Sequence, residues 1–486
     1  MTRTRKIPLA PLAAALLAGC AVGPNYVRPA VQTPPAYKEA QGWVRATPAD
    51  ASPRGDWWTV LNDPVLDQLE RQVVVSNQNL AAAEAAYRQA QAVVSEDRAS
   101  LFPTVGVTGS ATRSSRGAIT VIPPAGGGSG GGTGTGVSTG ASNSFQLGGT
   151  ASWEPDLWGK IRRTVEGARA LAQASDADLA NARLSAQSQL AIDYVQLRAD
   201  DEIKRLLDAT VSGYQRSFQI AQNQYNAGVA AKGDMLTAQT QLANAQAQSA
   251  DMVRQRQLLE HAIAVLAGEP PANLTIAPAA WTLTVPDAPV SVPSLLLQRR
   301  PDIAAAERNM ANANAQIGVQ VAAFFPTVSL SGQGGFTSSG LGSLISASSS
   351  FWSLGASAAE TLLDFGARSA RVRQARAAYD QSVAQYRQTV LAAFQEVEDA
   401  LAAGRILGQE APLRTQASQA ADAAETIALN QYHAGLTDYT AVVVAQSTAL
   451  SARQTLVTTQ SNRITAAIQL IAAMGGGWST TQQSGG

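Results

Sequence analysis

The sequence predicts an internally duplicated α+β membrane protein: short strand pairs that can close only as a shared β-barrel, and very long helical hairpins beside them. Three observations carry this expectation. Landmark motifs recur once along the chain, two helical stretches run to roughly 66 residues, and four segments of about ten residues alternate small and apolar side chains.

The duplication is read from the landmarks. Leu101-Phe102-Pro103-Thr104-Val105 recurs as Phe324-Phe325-Pro326-Thr327-Val328 at an offset of 223 residues. Asp156-Leu157-Trp158-Gly159 recurs as Leu363-Asp364-Phe365-Gly366, and Tyr225-Asn226-Ala227-Gly228 as Tyr432-His433-Ala434-Gly435, both at an offset of 207. The first half therefore carries about 16 extra residues between Pro103 and Gly159, where Gly126 to Gly136 holds eight glycines, two threonines and a serine. Such a segment cannot bury a core and reads as a flexible surface loop.

Each half repeats one order of elements. Leu80 to Ala99 is rich in Ala, Gln and Glu without Pro or Gly, hence helical. The strand candidates are TVGVTGSATRSS after Pro103 and SFQLGGTASW before Glu154, then TVSLSGQGGF (327–336) and FWSLGASAAETLLD (351–364). Ten residues is the length of a tilted transmembrane strand. Trp153, Trp158, Phe351 and Trp352 fall at strand ends, where an aromatic girdle would lie. The same pattern alone also fits a pair of soluble hairpins with core aromatics. From Lys160 to Tyr225 an apolar stripe (Ile203, Leu207, Val211, Tyr214, Phe218, Ala221, Tyr225) steps by three and four residues. That span gives a rod of roughly 100 Å. It recurs from Ala367 to Tyr432, where Gly404, Gly408 and Pro412 are expected to loosen it. Return helices follow from Asp234 to Ala267 and from Tyr439 to Met474. Four strands cannot close a barrel, which takes at least eight, so closure requires an oligomer.

The N-terminus has the form of a secretion signal. Arg3, Arg5 and Lys6 precede an apolar run from Ile7 to Ala18 that is too short to span a bilayer. Leu17-Ala18-Gly19-Cys20 resembles a bacterial lipobox, in which the cysteine becomes the first residue and its sulfur is acylated; an ordinary signal peptide with an incidental cysteine is the alternative. Ala21, not Asp, follows, which by the same resemblance directs the lipoprotein to the outer membrane. The expected organisation is a signal peptide (1–19), a lipidated N-terminal extended segment (20–62), repeat 1 (63–290), repeat 2 (291–474) and a C-terminal tail (475–486).

Composition narrows the function classes. The 486 residues hold 36 Lys+Arg against 36 Asp+Glu, with two histidines and one cysteine. Zero formal charge and no dense basic run argue against nucleic acid. One cysteine excludes a disulfide framework and any multi-cysteine metal site. His261 and His433 lie in different halves, and neither a nucleophile elbow, a P-loop nor a dinucleotide fingerprint occurs. No catalytic residue, no metal site and no cofactor beyond a covalent lipid on Cys20 is expected, so the chain does not read as an enzyme.

Taken in order, the motifs resemble those of the outer-membrane factor (TolC-like) family, in its NodT-type efflux lipoprotein branch. The residues that carry the resemblance are Cys20 to Pro29 (CAVGPNYVRP), Trp57-Trp58 with Asn62-Asp63-Pro64, and WEPDLWGKIRR (153–163). LLQRRPDIAAAERNM (296–310), LLDFGARSARVRQA (362–375) and YHAGLTDY (432–439) complete the set. The resemblance implies a homotrimer in the outer-membrane lipid, a twelve-stranded barrel continuous with a periplasmic α-helical barrel. It implies docking to a periplasmic adaptor (membrane fusion protein) and an inner-membrane pump of the resistance–nodulation–division class. The function so implied is passive efflux of drugs or metabolites, as in multidrug resistance. A type I protein-secretion outlet and a lipid-anchored periplasmic coiled-coil scaffold without a pore are the alternatives.

By the same resemblance, the gate lies at the two periplasmic tips, Tyr225 to Asp234 and Tyr432 to Asp438. Relatives carry an arginine before the second tip's tyrosine and an acid twelve residues after it. Here Tyr432 stands between Gln431 and His433, and the later position is Val444, so a charged latch gives way to hydrogen bonds and apolar contact. Gly228 and Gly435 read as geometric turns facing the adaptor. Asp234 and Asp438 each follow a glycine-containing turn and fit helix N-caps as well as gate groups.

Overall fold

A computed structural model describes residues 21–39, 56–115, 141–286 and 299–476. Cys20 and the Gly126–Gly136 insert lie outside the described residues. After a short 3-10 turn (Trp57–Leu61) come α1 (Pro64–Ser76), α2 (Gln78–Ala99), β1 (Thr104–Ser115), β2 (Ala141–Trp153), α3 (Lys160–Asn226) and α4 (Lys232–Leu266). The second half supplies α5 (Pro301–Ala322), β3 (Thr327–Ser338), β4 (Ser350–Ala359), α6 (Ala367–His433) and α7 (Tyr439–Ala473). Each of the two long helices, α3 and α6, has 67 residues.

Two compact units divide the chain. One comprises residues up to Tyr26 with Gln91–Arg169 and Ala311–Asp380; the other comprises Val27–Ala90, Ala170–Met310 and the residues from Gln381 onward. Each unit draws on both halves, so the duplication runs through the units rather than separating them.

The first unit holds one antiparallel sheet in the order β1-β2-β3-β4. Its two hairpins share a register: Thr104 faces Ser152 in the first, and Thr327 faces Ala359 in the second. Those pairs differ by the same 223 and 207 residues that separate the sequence landmarks. β4 stops at Ala359, short of the expected 364, where its partner β3 begins at Thr327 after Pro326, and Asp364 then leads the chain into α6 by accepting from the backbone N–H of Gly366 and of Arg368. Asp156 does the same for α3, accepting from Ile161 and Arg162. At the β2–α3 junction, Trp158 donates from Nε1 to the Pro326 carbonyl at 2.7 Å and stacks on Phe325 with ring centres 4.9 Å apart.

Residues 21–25 lie along α3 and α5. Arg163 donates to the carbonyls of Val22 and Gly23 and to Asn25 Oδ1, and Asn314 donates to the Pro24 carbonyl. Gly23 has φ +95°, and a Cβ there would sit 2.5 Å from the Gly318 Cα, so only glycine permits this approach. The GPN portion of the N-terminal motif is therefore packing chemistry.

The second unit is built around Trp58, Leu66, Leu69, Tyr194, Ile263 and Ile468, which share one buried apolar cluster. Helix α1, which periodicity alone did not single out, starts on Asp63, whose Oδ1 accepts from the N–H groups of Val65 and Leu66, with Pro64 at the first helical position. Asp63 Oδ2 accepts from the Tyr194 hydroxyl at 2.7 Å. Arg198 donates to that same hydroxyl oxygen and to Asp201, and Arg256 also donates to Asp201. Burial and then the Asp63 hydrogen bond push the Tyr194 hydroxyl well above its ordinary value, so it remains a donor. One aspartate thus caps α1 and ties it to α3.

Helix α6 holds the three residues expected to loosen it within one continuous helix. It runs unbroken through Gly404, Gly408 and Pro412. Pro412 forfeits one ladder hydrogen bond and crowds the carbonyl four residues back, and the helix continues for 21 residues beyond it, to His433. Along α6, Tyr386 accepts from the Arg28 guanidinium, and Glu398 accepts from the N–H groups of Lys38 and Glu39. Arg300 of the RRPD motif pairs with Asp302 through two nitrogens and with Glu396 at 2.6 Å.

Candidate functional site at the helical tips and on the strand faces

The two tips fold alike because both end α-helices on a left-handed glycine. Gly228 has φ +74° and Gly435 φ +70°. Val229 N–H returns to the Gln224 carbonyl and Gly228 N–H to Tyr225; Leu436 and Gly435 repeat this with Gln431 and Tyr432. This is a Schellman closure, in which the residue after the glycine ordinarily packs back on the helix. Here Val229 is 75% exposed and Leu436 78% exposed, so both tips offer an apolar side chain outward.

Tyr432 joins the tips of a single chain. Its hydroxyl donates to Gln224 Oε1 at 2.9 Å, and its ring lies 5.4 Å from that of Tyr439. Burial, and then the charge of Asp234, raise its pKa, so the hydroxyl stays protonated. Ala221, Ala238, Tyr439 and Val442 form the buried cluster beneath it. Tyr225 and Gln431 are exposed, and Val444 is exposed on α7. Asp438 caps α7, accepting from Ala441 N–H at 3.0 Å. Asp234 does not cap: α4 begins two residues earlier, at Lys232, and Asp234 lies in its first turn, where a carboxylate still favours the helix dipole. The structure thus joins Tyr432 to Gln224, with the charge of Asp234 acting on the same hydroxyl, and leaves Gln431 and Val444 outside that bond. Gln224 was not singled out by the sequence; it lies one residue before Tyr225, whereas the spacing pattern marks only the tyrosines.

A charged cluster also lies beyond the expected latch positions. Arg453 on α7 donates to Asp422 and Glu425 on α6, each at 2.8 Å. It borders a cleft of about 570 Å³ lined by Tyr214, Arg216, Glu425, Tyr432 and Tyr439. Among the described residues no group of His, Cys, Asp or Glu could hold a metal ion.

The strand register sorts side chains onto two faces. Val105, Val107, Leu147, Leu330, Trp352 and Leu354 share one face; Thr108, Ser110, Gln146, Ser331, Gln333 and Ser357 share the other. Apolar outward and polar inward is the pattern of a water-filled membrane barrel. No helix among the described residues is long and apolar enough to cross a membrane.

A family model described as outer membrane efflux protein matches residues 69–269 and 292–476. The chain belongs to the outer membrane efflux protein family. It is 28% identical over 465 residues to the probable efflux pump outer membrane protein TtgC of Pseudomonas putida, covering 95% of this chain and 94% of that one. Against the pyoverdine export outer membrane protein OpmQ of Pseudomonas putida it is 29% identical over 483 residues, 98% of each chain. The solved outer-membrane channel OprN superposes with a TM-score of 0.81 at 31% identity, covering 94% of this chain and all of that one. As an efflux protein of the outer membrane it is a channel component and not an enzyme. Four strands and long helical hairpins per chain are the fold the sequence predicted.

Proposed function

We propose that three copies of the chain form one conduit, a twelve-stranded barrel in the outer membrane leading from a gated tunnel of helices. The observation that carries this reading is the sheet itself: one face apolar, one polar, and both edge strands open among the described residues. Open strand edges cannot stand in hydrocarbon, so the sheet must continue into other copies. The apolar sheet face also speaks against a scaffold without a pore. The exposed Val229 and Leu436 at the tips suit a periplasmic adaptor with an apolar contact surface, fed by an inner-membrane pump of the resistance–nodulation–division class.

Closure of the tunnel rests on Tyr432. Its hydroxyl fixes Gln224 within the chain, and its ring packs against Tyr439, so no charged pair at positions 431 and 444 is needed. Tyr432→Ala should convert a mostly closed trimer into a leaky one in planar bilayers. Unchanged conductance would remove Tyr432 from the gate. The diacyl anchor on Cys20 is a separate proposal that rests on the lipobox. Incorporation of labelled fatty acid should disappear in Cys20→Ala, and persistent labelling would place the lipid elsewhere.

A further inference from the structure

The duplication extends to individual strand pairs, and this gives a template for the joint between copies. β1–β2 and β3–β4 superimpose in register under shifts of 223 and 207 residues. The β2–β3 joint pairs Phe145 with Ser338 and Trp153 with Leu330. Advancing its β2 side by 207 gives β4, and moving its β3 side back by 223 gives β1. Phe145–Ser338 then becomes Trp352–Ser115, and Trp153–Leu330 becomes Glu360–Val107. This register keeps Trp352 and Leu354 on the same face as Val105 and Val107. A slip of one residue would bring them onto the polar face.

The junction beside the strands repeats the argument with side chains. Within one chain, Trp158 after β2 seats on Phe325 and Pro326 before β3. The corresponding residues are Phe365 after β4 and Phe102 with Pro103 before β1. Both phenyl rings lie open: Phe365 is 101% exposed and Phe102 68%. The following glycine keeps a left-handed backbone in both copies, φ +80° at Gly159 and +93° at Gly366. The copies differ at the aromatic itself. Phe365 has φ +52°, a conformation unfavourable for a bulky side chain, and it lacks the indole N–H. A seat of the same kind between copies would use stacking without the hydrogen bond.

We propose that β4 of one subunit pairs with β1 of the next in the register Trp352–Ser115 to Glu360–Val107, and that Phe365 stacks on Phe102 and Pro103 of the partner subunit. The occupant of the open edge is a second copy of this chain, and the proposal rests on the trimer reading above. An aromatic with no protein partner would instead be held only by the membrane interface, and the two cases separate by experiment.

In the full chain, Ser357→Cys combined with Ser110→Cys, and Ala356→Cys combined with Ala111→Cys, test the register. Adjacent antiparallel pairs alternate between wider and closer side chains, so one of the two combinations has the closer geometry. Oxidation with a membrane-permeant copper complex should give covalent dimers and trimers for at least one of them on a denaturing gel. Ser357→Cys with Thr108→Cys or Thr112→Cys, slipped by two residues, should give several-fold less. Trimers by light scattering in which only the slipped combinations crosslink would overturn the register and leave the trimer standing. Monomers would overturn both. For the seat, Phe365→Ala and Phe102→Ala should each lower the trimer dissociation temperature, and the double variant should fall no further than the worse single. Additive shifts, or none, would assign Phe365 to lipid.

Discussion

Glu70 of α1 is fully buried, and neither of its carboxylate oxygens has a hydrogen-bond partner among the described residues. Burial, with the nearby Asp67 charge adding to it, pushes its pKa up to about 9 from an ordinary 4.5. Between those values the native state keeps a proton that the unfolded chain has released. Stability is therefore full below pH 4.5 and declines as pH rises toward 9, at up to about 1.4 kcal/mol per pH unit. Glu70→Gln keeps the shape and removes the linkage. Its thermal midpoint should match the parent near pH 5 and exceed it at pH 8; an equal difference at both values would contradict the neutral carboxyl. Sequence gives little warning of such a residue, since Glu70 sits among Leu66, Leu69 and Val73, at a helical spacing that marks a face but not which charge is enclosed. Asp63 is similar. Its role as a cap is legible from the following proline, but its bond to Tyr194 spans 131 positions and depends on the tertiary packing of α1 on α3.

Elements were legible where one periodicity ran long enough. The hairpin strands and both 67-residue helices announce themselves through alternation, through the absence of breakers, and through repeated landmarks. Helix α1 was not, because 13 residues starting at Asp-Pro carry too few turns for a pattern to stand out. That α6 continues past Pro412 is not legible in the sequence, because the proline rule gives the local cost of a lost ladder bond and a crowded carbonyl but not whether the rest of a 67-residue helix outweighs it. The two tips show how a small sequence difference redistributes work. Asp438 holds an orphan N–H of α7, whereas the corresponding start of α4 has Ala231 and no side-chain cap. Asp438→Ala should cost about 1 kcal/mol of local helix stability. Asp234→Ala should cost less, leaving only a dipole contribution. Hydrogen exchange of the first-turn amides of α7 and α4 measures both, and equal losses would mean that Asp234 caps after all.

For the whole molecule, the sequence contained the duplication and the need for other copies, since four strands cannot close and their edges cannot remain bare. The way the duplicated halves interleave into two compact units was not legible, because offsets between motifs give order and not contact. The polar sheet face has one more consequence. Its described positions are Gly, Ala, Ser, Thr, Gln and a single Phe, Phe351, and none of them ionises. Charged rings are what let a pore prefer one sign of ion, so this stretch should be electrically indifferent. Any preference measured as a reversal potential in a salt gradient must then arise outside these strand positions. Ser331→Asp would place a carboxylate from every copy at one level and should shift the reversal potential toward that of a cation-preferring pore. If the parent already shows strong preference and Ser331→Asp leaves it unchanged, the polar face is not the wall that permeating ions meet.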